Sequence, residues 1–415
     1  MSTFLYYLTP QTGHLFPLVP TWQELIRRGH RVAVRCQPEH VEMLAGLGVH
    51  AAPISPRIVA REQDDWRARS PLGAMRRSMR TFLDRAVLEV DDLRAAIAAE
   101  SPDAVVVDAI CWGAGSLAET TGLPWAWAAV FPVAIESADL PPRGLGLTAG
   151  SGPFYALRDA AVRAATAVFW RPTLAELNTL RVSLGAAPVR SMTELWTRRA
   201  PMTAIYMAEP LEYPRTDWPP TVRLVGPGVW SPPSATPAWL DQLDRLGRPL
   251  ILVSCSTERQ RDDALARIAL RALASLDVSV VVTTGAAEPD LGPIPDNARV
   301  ERFVPHGPLI QRAACVVCPG GMGTVHAALA AGVPVVTVPF GRDQPEVARR
   351  VESAGVGVRL PASRLGPARL RAAVSHAMTL RGRAAEVGRA LQAAGGPAVA
   401  ADATEHLVTA VHPAT

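Results

Sequence analysis

One histidine and one aspartate in this chain close two separate apolar runs. Gln11-Thr12-Gly13-His14 follows the run Phe4 to Leu8, and Asp108 ends Ala104-Val105-Val106-Val107. If both runs are strands of one parallel sheet, the imidazole and the carboxylate open onto the same crevice. A histidine in that place can take a proton at neutral pH, provided a carboxylate orients it and stabilises the imidazolium. Read singly, each residue also fits an ordinary role as a capping group or a hydrogen bonder at a helix start. His30, His40 and His50 have no comparable setting.

A second group lies in the run Cys315-Val-Val-Cys318-Pro319-Gly320-Gly321-Met322-Gly323-Thr324, which precedes a helical pattern from Val325 to Ala331. It reads as strand, glycine turn, helix. Glycines let a backbone approach a ligand closely, and the unpaired amides at a helix start favour a phosphate there. Tight turns also demand glycine for steric reasons, so the turn alone does not decide between the two readings. Further on, the apolar run Val333 to Pro339 leads into Phe340-Gly341-Arg342-Asp343-Gln344-Pro345. A carboxylate beside a carboxamide suits the vicinal hydroxyls of a sugar ring. Its bland counterpart is a helix cap at Asp343, with proline in the first turn.

These residues need elements that hold them. In the first half, short β-rich runs alternate with longer helical patterns: Thr3 to Leu8, Pro20 to Arg28, Arg31 to Arg35, Val41 to Leu47, Ala104 to Val107, Gly113 to Thr121 and Trp125 to Val130. Alternation of this kind predicts βαβ units. From Leu72 to Ile97 the apolar residues keep a helical period and predict one long amphipathic helix. Phe131 to Pro153 reads as a long loop, followed by two helices, Tyr155 to Trp170 and Thr173 to Leu184. A proline-rich stretch, Glu209 to Pro237, reads as loop and supplies the interdomain linker. Beyond it the alternation restarts and runs to Ser353. The fold class is therefore α/β, with two doubly wound Rossmann-like domains facing across a cleft, the cleft being the expected site. The boundaries expected are 1–212, a linker over 213–237, 238–395, and a C-terminal helix over 396–415 crossing back to the first domain.

Composition removes other chemistries. All 42 basic residues of the 415 are arginine. Without lysine there is no Walker-type phosphate loop, no Schiff-base aldolase and no pyridoxal enzyme. The formal net charge of +4 is diffuse, and its densest basic stretch, Arg57 to Arg80, is interleaved with Glu62, Asp64 and Asp65. Nucleic acid is not an expected partner. Five unevenly placed cysteines make no disulfide framework. Cys315 and Cys318 have the spacing of a redox or metal pair, but their apolar context reads as a strand, and no second pair completes a tetrahedral site. The N-terminal run passes straight into a Pro and Gly turn with no basic leader, and no apolar run approaches the roughly 20 residues that span a bilayer. The expectation is a soluble cytoplasmic protein with no membrane partner.

Taken together, the residues resemble the inverting, nucleotide-sugar-dependent glycosyltransferases of the two-Rossmann-domain (GT-B) type, particularly the bacterial enzymes that decorate antibiotic and other natural-product aglycones. The segments that carry the resemblance are Gly13-His14 to Gly29-His30-Arg31-Val32, Pro102-Asp103 to Asp108, Gly122-Leu123-Pro124, Phe303-Val304-Pro305-His306, Gly320 to Thr324, Gly332-Val333-Pro334 and Asp343-Gln344-Pro345. They cover nearly the whole chain. The resemblance implies that His14 deprotonates the acceptor and that Asp108 is its partner. It makes Phe303 the aromatic that stacks on the donor base, and Val304 the residue whose backbone hydrogen-bonds that base. Gly320, Gly321, Gly323 and Thr324 match the pyrophosphate cradle, with Ser256 and Thr257 as further phosphate contacts. Asp343 and Gln344 match the pair that holds donor sugar hydroxyls.

The resemblance further implies a TDP- or UDP-linked hexose or deoxyhexose as donor and co-substrate, with no other cofactor and no metal, acting as a monomer or homodimer. The acceptor expected is a small apolar aglycone. Its pocket would have mobile walls over Ile54 to Met79 and Phe131 to Leu147, with Trp66, Phe131, Leu140 and Leu145 as apolar lining. Such side chains also commonly pack under their own loops. Three positions depart from the family pattern. Pro319 stands where the family has a diphosphate-binding histidine, His326-Ala327 where many members place a ribose-binding glutamate, and Val347 where asparagine is usual. Pro319 offers neither a side-chain donor nor a backbone amide. Two rival readings follow: a catalytically silent relative that binds a partner or ligand, and a nucleotide-sugar epimerase on the same architecture.

Overall fold

The computed structural model describes residues 1–233, 236–256, 258–260, 262–285 and 290–409. These form two compact units. The first holds a seven-stranded parallel sheet: β1 (Thr3–Tyr7), β2 (Arg31–Cys36), β3 (His50–Pro53), β4 (Ala104–Asp108), β5 (Trp125–Ala129), β6 (Met202–Ile205) and β7 (Val222–Leu224). The second holds a six-stranded one: β8 (Leu250–Ser254), β9 (Ser279–Thr283), β10 (Ala298–Glu301), β11 (Ala313–Cys318), β12 (Val335–Thr337) and β13 (Gly357–Arg359).

The spatial orders are β3-β2-β1-β4-β5-β6-β7 and β10-β9-β8-β11-β12-β13. Each sheet therefore grows outward in both directions from its first strand, and its order reverses between β1 and β4 or between β8 and β11. Connections leave the crevice at that reversal uncovered, which is where open α/β sheets bind ligands. The central strands are buried on both faces, β4, β5, β8 and β9 completely so, as helices on each side of a parallel sheet require. The Val, Ile and Leu content of β4, β8 and β9 made those strands legible, whereas β5 is built from Trp and Ala alone.

The long helix runs from Pro71 to Glu100. Ser70 starts it by accepting the Gly73 amide, with Pro71 in the first turn, and Ser101 ends it in the left-handed region ahead of Pro102. Where two helices were expected from 155 to 184, a single helix spans Pro153–Ser183 with Pro172 inside it. Both Pro172 and Val168, whose carbonyl loses its donor to the proline, lie on the exposed side. Solvent can satisfy that carbonyl, so the helix continues instead of breaking.

The proline-rich stretch is also not a plain linker. Within 213–237, Val222–Leu224 forms β7, pairing with β6 at the sheet edge, where neighbouring prolines are tolerated. The first unit comprises Met1–Met207, Pro214–Gly228 and the chain from Gly395, whereas Ala208–Tyr213 and Val229–Ala394 make the second. The short excursion is held in the second unit by Glu212, whose carboxylate takes the buried Arg350 guanidinium at 3.0 and 3.2 Å. Helix Pro397–Thr409 packs on helix Val19–Arg27. Arg28 bonds Asp402 and Glu405, His30 bonds Glu405 at 2.7 Å, and the Tyr6 hydroxyl meets Thr404 at 3.1 Å.

Candidate active site

In the first unit the chain leaves β1 through a short turn into helix Thr12–Leu15, which carries His14 to the point where the strand order reverses. Asp108 is the last residue of β4, the strand beside β1. The two side chains meet: Nδ1 of His14 lies 2.7 Å from Oδ2 of Asp108. The other carboxylate oxygen, Oδ1, accepts the Ile110 amide at 3.0 Å. Asp108 is nearly closed off at 2% side-chain exposure, while His14 keeps 15%. A carboxylate only accepts, so Nδ1 carries the proton of this bond, and in the neutral imidazole the lone pair is then on Nε2. That is the arrangement of an oriented general base.

Phe131 lies against this histidine, with ring centroids 5.4 Å apart. The other apolar lining residues have different settings. Trp66 is half-buried with the Arg67 guanidinium 5.0 Å over its ring, Leu140 is buried, and Leu145 is exposed. The loop that carries Phe131, Leu140 and Leu145, expected to be a mobile wall, is tied down along its middle. Asp217 accepts the Ser137 hydroxyl at 2.9 Å and the Ala138 amide at 2.7 Å. Asp139 accepts the Thr216 amide at 2.7 Å, and Arg163 donates to the Ser137 and Leu140 carbonyls. The other wall is pinned as well: the buried Arg85 holds the Arg61 carbonyl through two nitrogens, and Gln63 links Gln11 to Ser78.

In the second unit, helix Met322–Ala330 begins just past the end of β11. Gly320 has a φ of 102°, which suits only glycine. Gly321 and Gly323 are different, because a Cβ added at either would meet nothing within 4 Å. Neither packing nor backbone conformation calls for glycine at those two positions. Gly321 is the N-cap and offers no side chain, so among the described residues no side chain caps the helix start. Thr324 sits half-buried in the same turn. Phe303, 62% exposed, stands beside the buried Val304. In the β8 loop, the Ser256 amide donates to Asp262 at 2.6 Å; Thr257 lies outside the described residues.

The sugar-holding pair divides. Asp343 precedes helix Gln344–Ser353 and caps it through its carbonyl, which accepts from Glu346 and Val347, and not through its side chain. Arg342, with φ 56°, turns the chain into it. Gln344 departs from the expectation of a carboxamide open to a ligand. It is 2% exposed, its Oε1 accepts the Phe340 and Gly341 amides at 2.8 and 3.2 Å, and its Nε2 donates to Gln260. The carboxamide braces the turn beside Asp343.

Buried cysteines and histidines in this unit are held neutral. Burial pushes the Cys318 thiol up to about 12 and Cys315 higher still, so the pair forms part of a strand and is chemically inert. Burial also pulls His306 and His326 down to about 4. His306 bonds the Thr283 hydroxyl at 3.0 Å, whereas Nε2 of His326 has no hydrogen-bond partner among the described residues. Among the described residues, no group of three or more His, Cys, Asp or Glu side chains could hold a metal ion, and no helix is long and apolar enough to cross a membrane.

Comparison with known proteins bears on what such a pair of sites does. Residues 267–407 match the family described as erythromycin biosynthesis protein CIII-like, C-terminal domain. Over 88% of its length the chain is 36% identical to the 4'-demethylrebeccamycin synthase of Lentzea aerocolonigenes, of which the alignment covers 89%. The chain belongs to the natural-product glycosyltransferases. This glycosyltransferase shares its fold with the calicheamicin glycosyltransferase CalG4, at a TM-score of 0.75 and 23% identity over 100% of both chains. The glycosyltransferase VinC, solved in complex with dTDP, matches at a TM-score of 0.69 and 21% identity, over 99% of this chain and 100% of that one. The glycosyltransferase is thus built from the two Rossmann-like units of the GT-B fold.

Sequence reasoning missed several residues around these sites. Arg85 and Glu89 both lie within the apolar stripe of the long helix, between Phe82, Ala86, Val90 and Leu93, and both are buried. Charged residues inside an apolar stripe were the signal that could have found them. Gln260 and Asp262 carry no such mark.

Proposed function

We propose that this glycosyltransferase moves a hexose or deoxyhexose from a TDP- or UDP-sugar to a small apolar natural-product aglycone with inversion, His14 acting as general base and Asp108 as its partner. The observation that carries the reading is the 2.7 Å bond from His14 Nδ1 to Asp108, which leaves Nε2 as the proton acceptor. The acceptor O–H gives its proton to Nε2 as its oxygen attacks the anomeric carbon. The bond from that carbon to the diphosphate oxygen breaks on the opposite face, and the electron pair leaves with the nucleoside diphosphate. Asp108 stabilises the imidazolium so formed.

The leaving group's charge is met by the uncapped amides of helix Met322–Ala330 and the Thr324 hydroxyl, with no resident metal. Exposed Phe303 supports base stacking, and the dTDP held by VinC supports a thymidine diphosphate donor. Asp343 holds a sugar hydroxyl, with Gln344 fixing its turn. The test is titration calorimetry of TDP and UDP in the presence of a chelator, followed by transfer assays with the preferred diphosphate sugar and an NMR reading of the product's anomeric configuration. Binding of one diphosphate and an inverted product are expected. Failure to bind either would make Pro319, with no donor to offer, decisive for a catalytically silent relative.

A further inference from the structure

Behind the dyad lies a carboxyl that the reaction as described does not use. Glu89, on helix Pro71–Glu100, is 1% exposed. Both of its backbone hydrogen bonds fall on one oxygen: Oε2 accepts the Gly113 amide at 2.9 Å and the Ala114 amide at 3.3 Å, the first-turn amides of helix Trp112–Ala118. Close approach of the two helices makes this reach available. A Cβ at Gly113 would come within 1.8 Å of the Ala86 carbonyl oxygen, so only glycine lets the second helix start there.

The turn that this helix continues is the one that positions Asp108. The Cys111 amide donates to the Asp108 carbonyl at 2.9 Å, the Ala109 amide reaches the Ala128 carbonyl at 2.9 Å, and the Ile110 amide holds Asp108 Oδ1. One end of the turn is fixed by β5 and the other by Glu89. With Oδ1 occupied, Oδ2 is the oxygen that remains for His14.

We infer that Glu89 is a positioning residue for the His14–Asp108 dyad, anchoring the helix start that holds the Ile110 amide on Asp108, and that it does so as an uncharged carboxylic acid. This rests on the proposed role of His14 as base. A neutral carboxyl has one strong acceptor oxygen, and both amides converge on a single oxygen. The groups that face it are few. On its own helix lie Arg85, committed to the Arg61 carbonyl and the Thr9 hydroxyl, and Asp92, bound by the Tyr7 hydroxyl and the Ser55 amide. Tyr7 faces it from β1, and Asp108 and Cys111 from the turn. Burial, aided by the nearby Asp108 carboxylate and opposed by the two amides and Arg85, holds Glu89 up to about 8. Glu89 then brings no negative charge to the dyad at neutral pH and ionises only in alkaline solution.

The experiment follows the His14 ring by NMR in the whole protein without substrate, assigning its signal by its loss in His14→Ala. Between about pH 6 and about pH 9.5 the wild-type signal should show a second inflection near the value at which Glu89 ionises, about 8. Glu89→Gln keeps a carbonyl for both amides and has no proton to lose, so the inflection should vanish. Glu89→Ala removes the anchor, and its kcat should fall about tenfold or more with TDP affinity unchanged, Glu89→Gln recovering at least part of that loss. An inflection that persists in Glu89→Gln, or wild-type kcat in Glu89→Ala, would overturn the inference. If His14→Ala retained full transfer, the base assignment would fall while the NMR titration still judged Glu89 on its own.

Discussion

The two units repeat one strand order, and each places its candidate site at the reversal of its sheet, yet they build those sites from different material. In the first unit the candidate groups are side chains: an imidazole, a carboxylate and a second buried carboxyl behind them. In the second the candidate phosphate cradle is mostly main chain, a helix start and three glycines with Thr324 in the first turn, and His306 and His326 are held neutral by burial. The difference follows the chemistry each would serve. Moving a proton needs a group with a tunable charge, whereas meeting a diphosphate needs fixed dipoles that never titrate.

The largest expected effect tests the first half of that contrast. His14→Ala should lower kcat by about 100-fold to 10,000-fold, the range for losing a general base, with TDP binding unchanged by calorimetry. Activity close to wild type would remove the proton-transfer role from this unit. Gly321→Val tests the second half. Its backbone angles, φ −63° and ψ 130°, suit valine, and there is room for the side chain. Melting temperature should therefore hardly move while TDP affinity drops about tenfold or more. Unchanged affinity would mean that the open turn is not a phosphate cradle.

A third prediction sharpens the contrast through pH. Glu89 has its folded value raised to about 8 from the ordinary 4.5, so its contribution to stability is fully present below 4.5 and is lost as pH rises through 8. His306 and His326 have theirs lowered to about 4 from 6.5, so theirs is present above 6.5 and lost as pH falls through 4. Between 6.5 and 4.5 these three groups act in opposite senses on acidification, Glu89 favouring the folded first unit and the two histidines disfavouring the folded second. His40 and Asp262 reduce the contrast. Hydrogen exchange, corrected for intrinsic rate, should show protection rising in β4 and β5 and falling in β8 and β11; parallel changes in both sheets would contradict it. The smallest effect concerns one atom. His326→Leu removes the unpartnered Nε2 and should raise stability at pH 7 by about 1 kcal/mol, visible as a higher denaturant midpoint, and should blunt the acid response of the second unit.

What could be read from sequence depended on whether a residue's neighbours in the chain carried the signal. Strands such as Val105-Val106-Val107 and Leu250–Ser254 were legible because burial on both faces forces a continuous apolar run. His14 and Asp108 were legible because each follows such a run at the end that opens onto the crevice. The edge strands His50–Pro53, Val222–Leu224 and Gly357–Arg359 are short and partly exposed, and hardly differ in composition from loops. Pro172 suggested a break that its exposed position prevents. Gln344 shows the limit most clearly: its type and place suit a sugar, but its hydrogen bonds depend on Gln260, distant in sequence, and on how one turn folds back. The ties that pin the loop after β5 depend in the same way on Asp217 and Arg163.

Helix Pro397–Thr409 also bears on synthesis at the ribosome. It covers helix Val19–Arg27 beside β1, so a face made early stays uncovered until the chain has grown past residue 397. At roughly 5–20 residues per second, the wait after β7 emerges is on the order of ten seconds or more. The second unit, almost continuous from Val229 to Ala394, can complete its sheet during that interval. The nascent first unit must therefore persist with its apolar helix face open to chaperones, and it closes only after the second has been made.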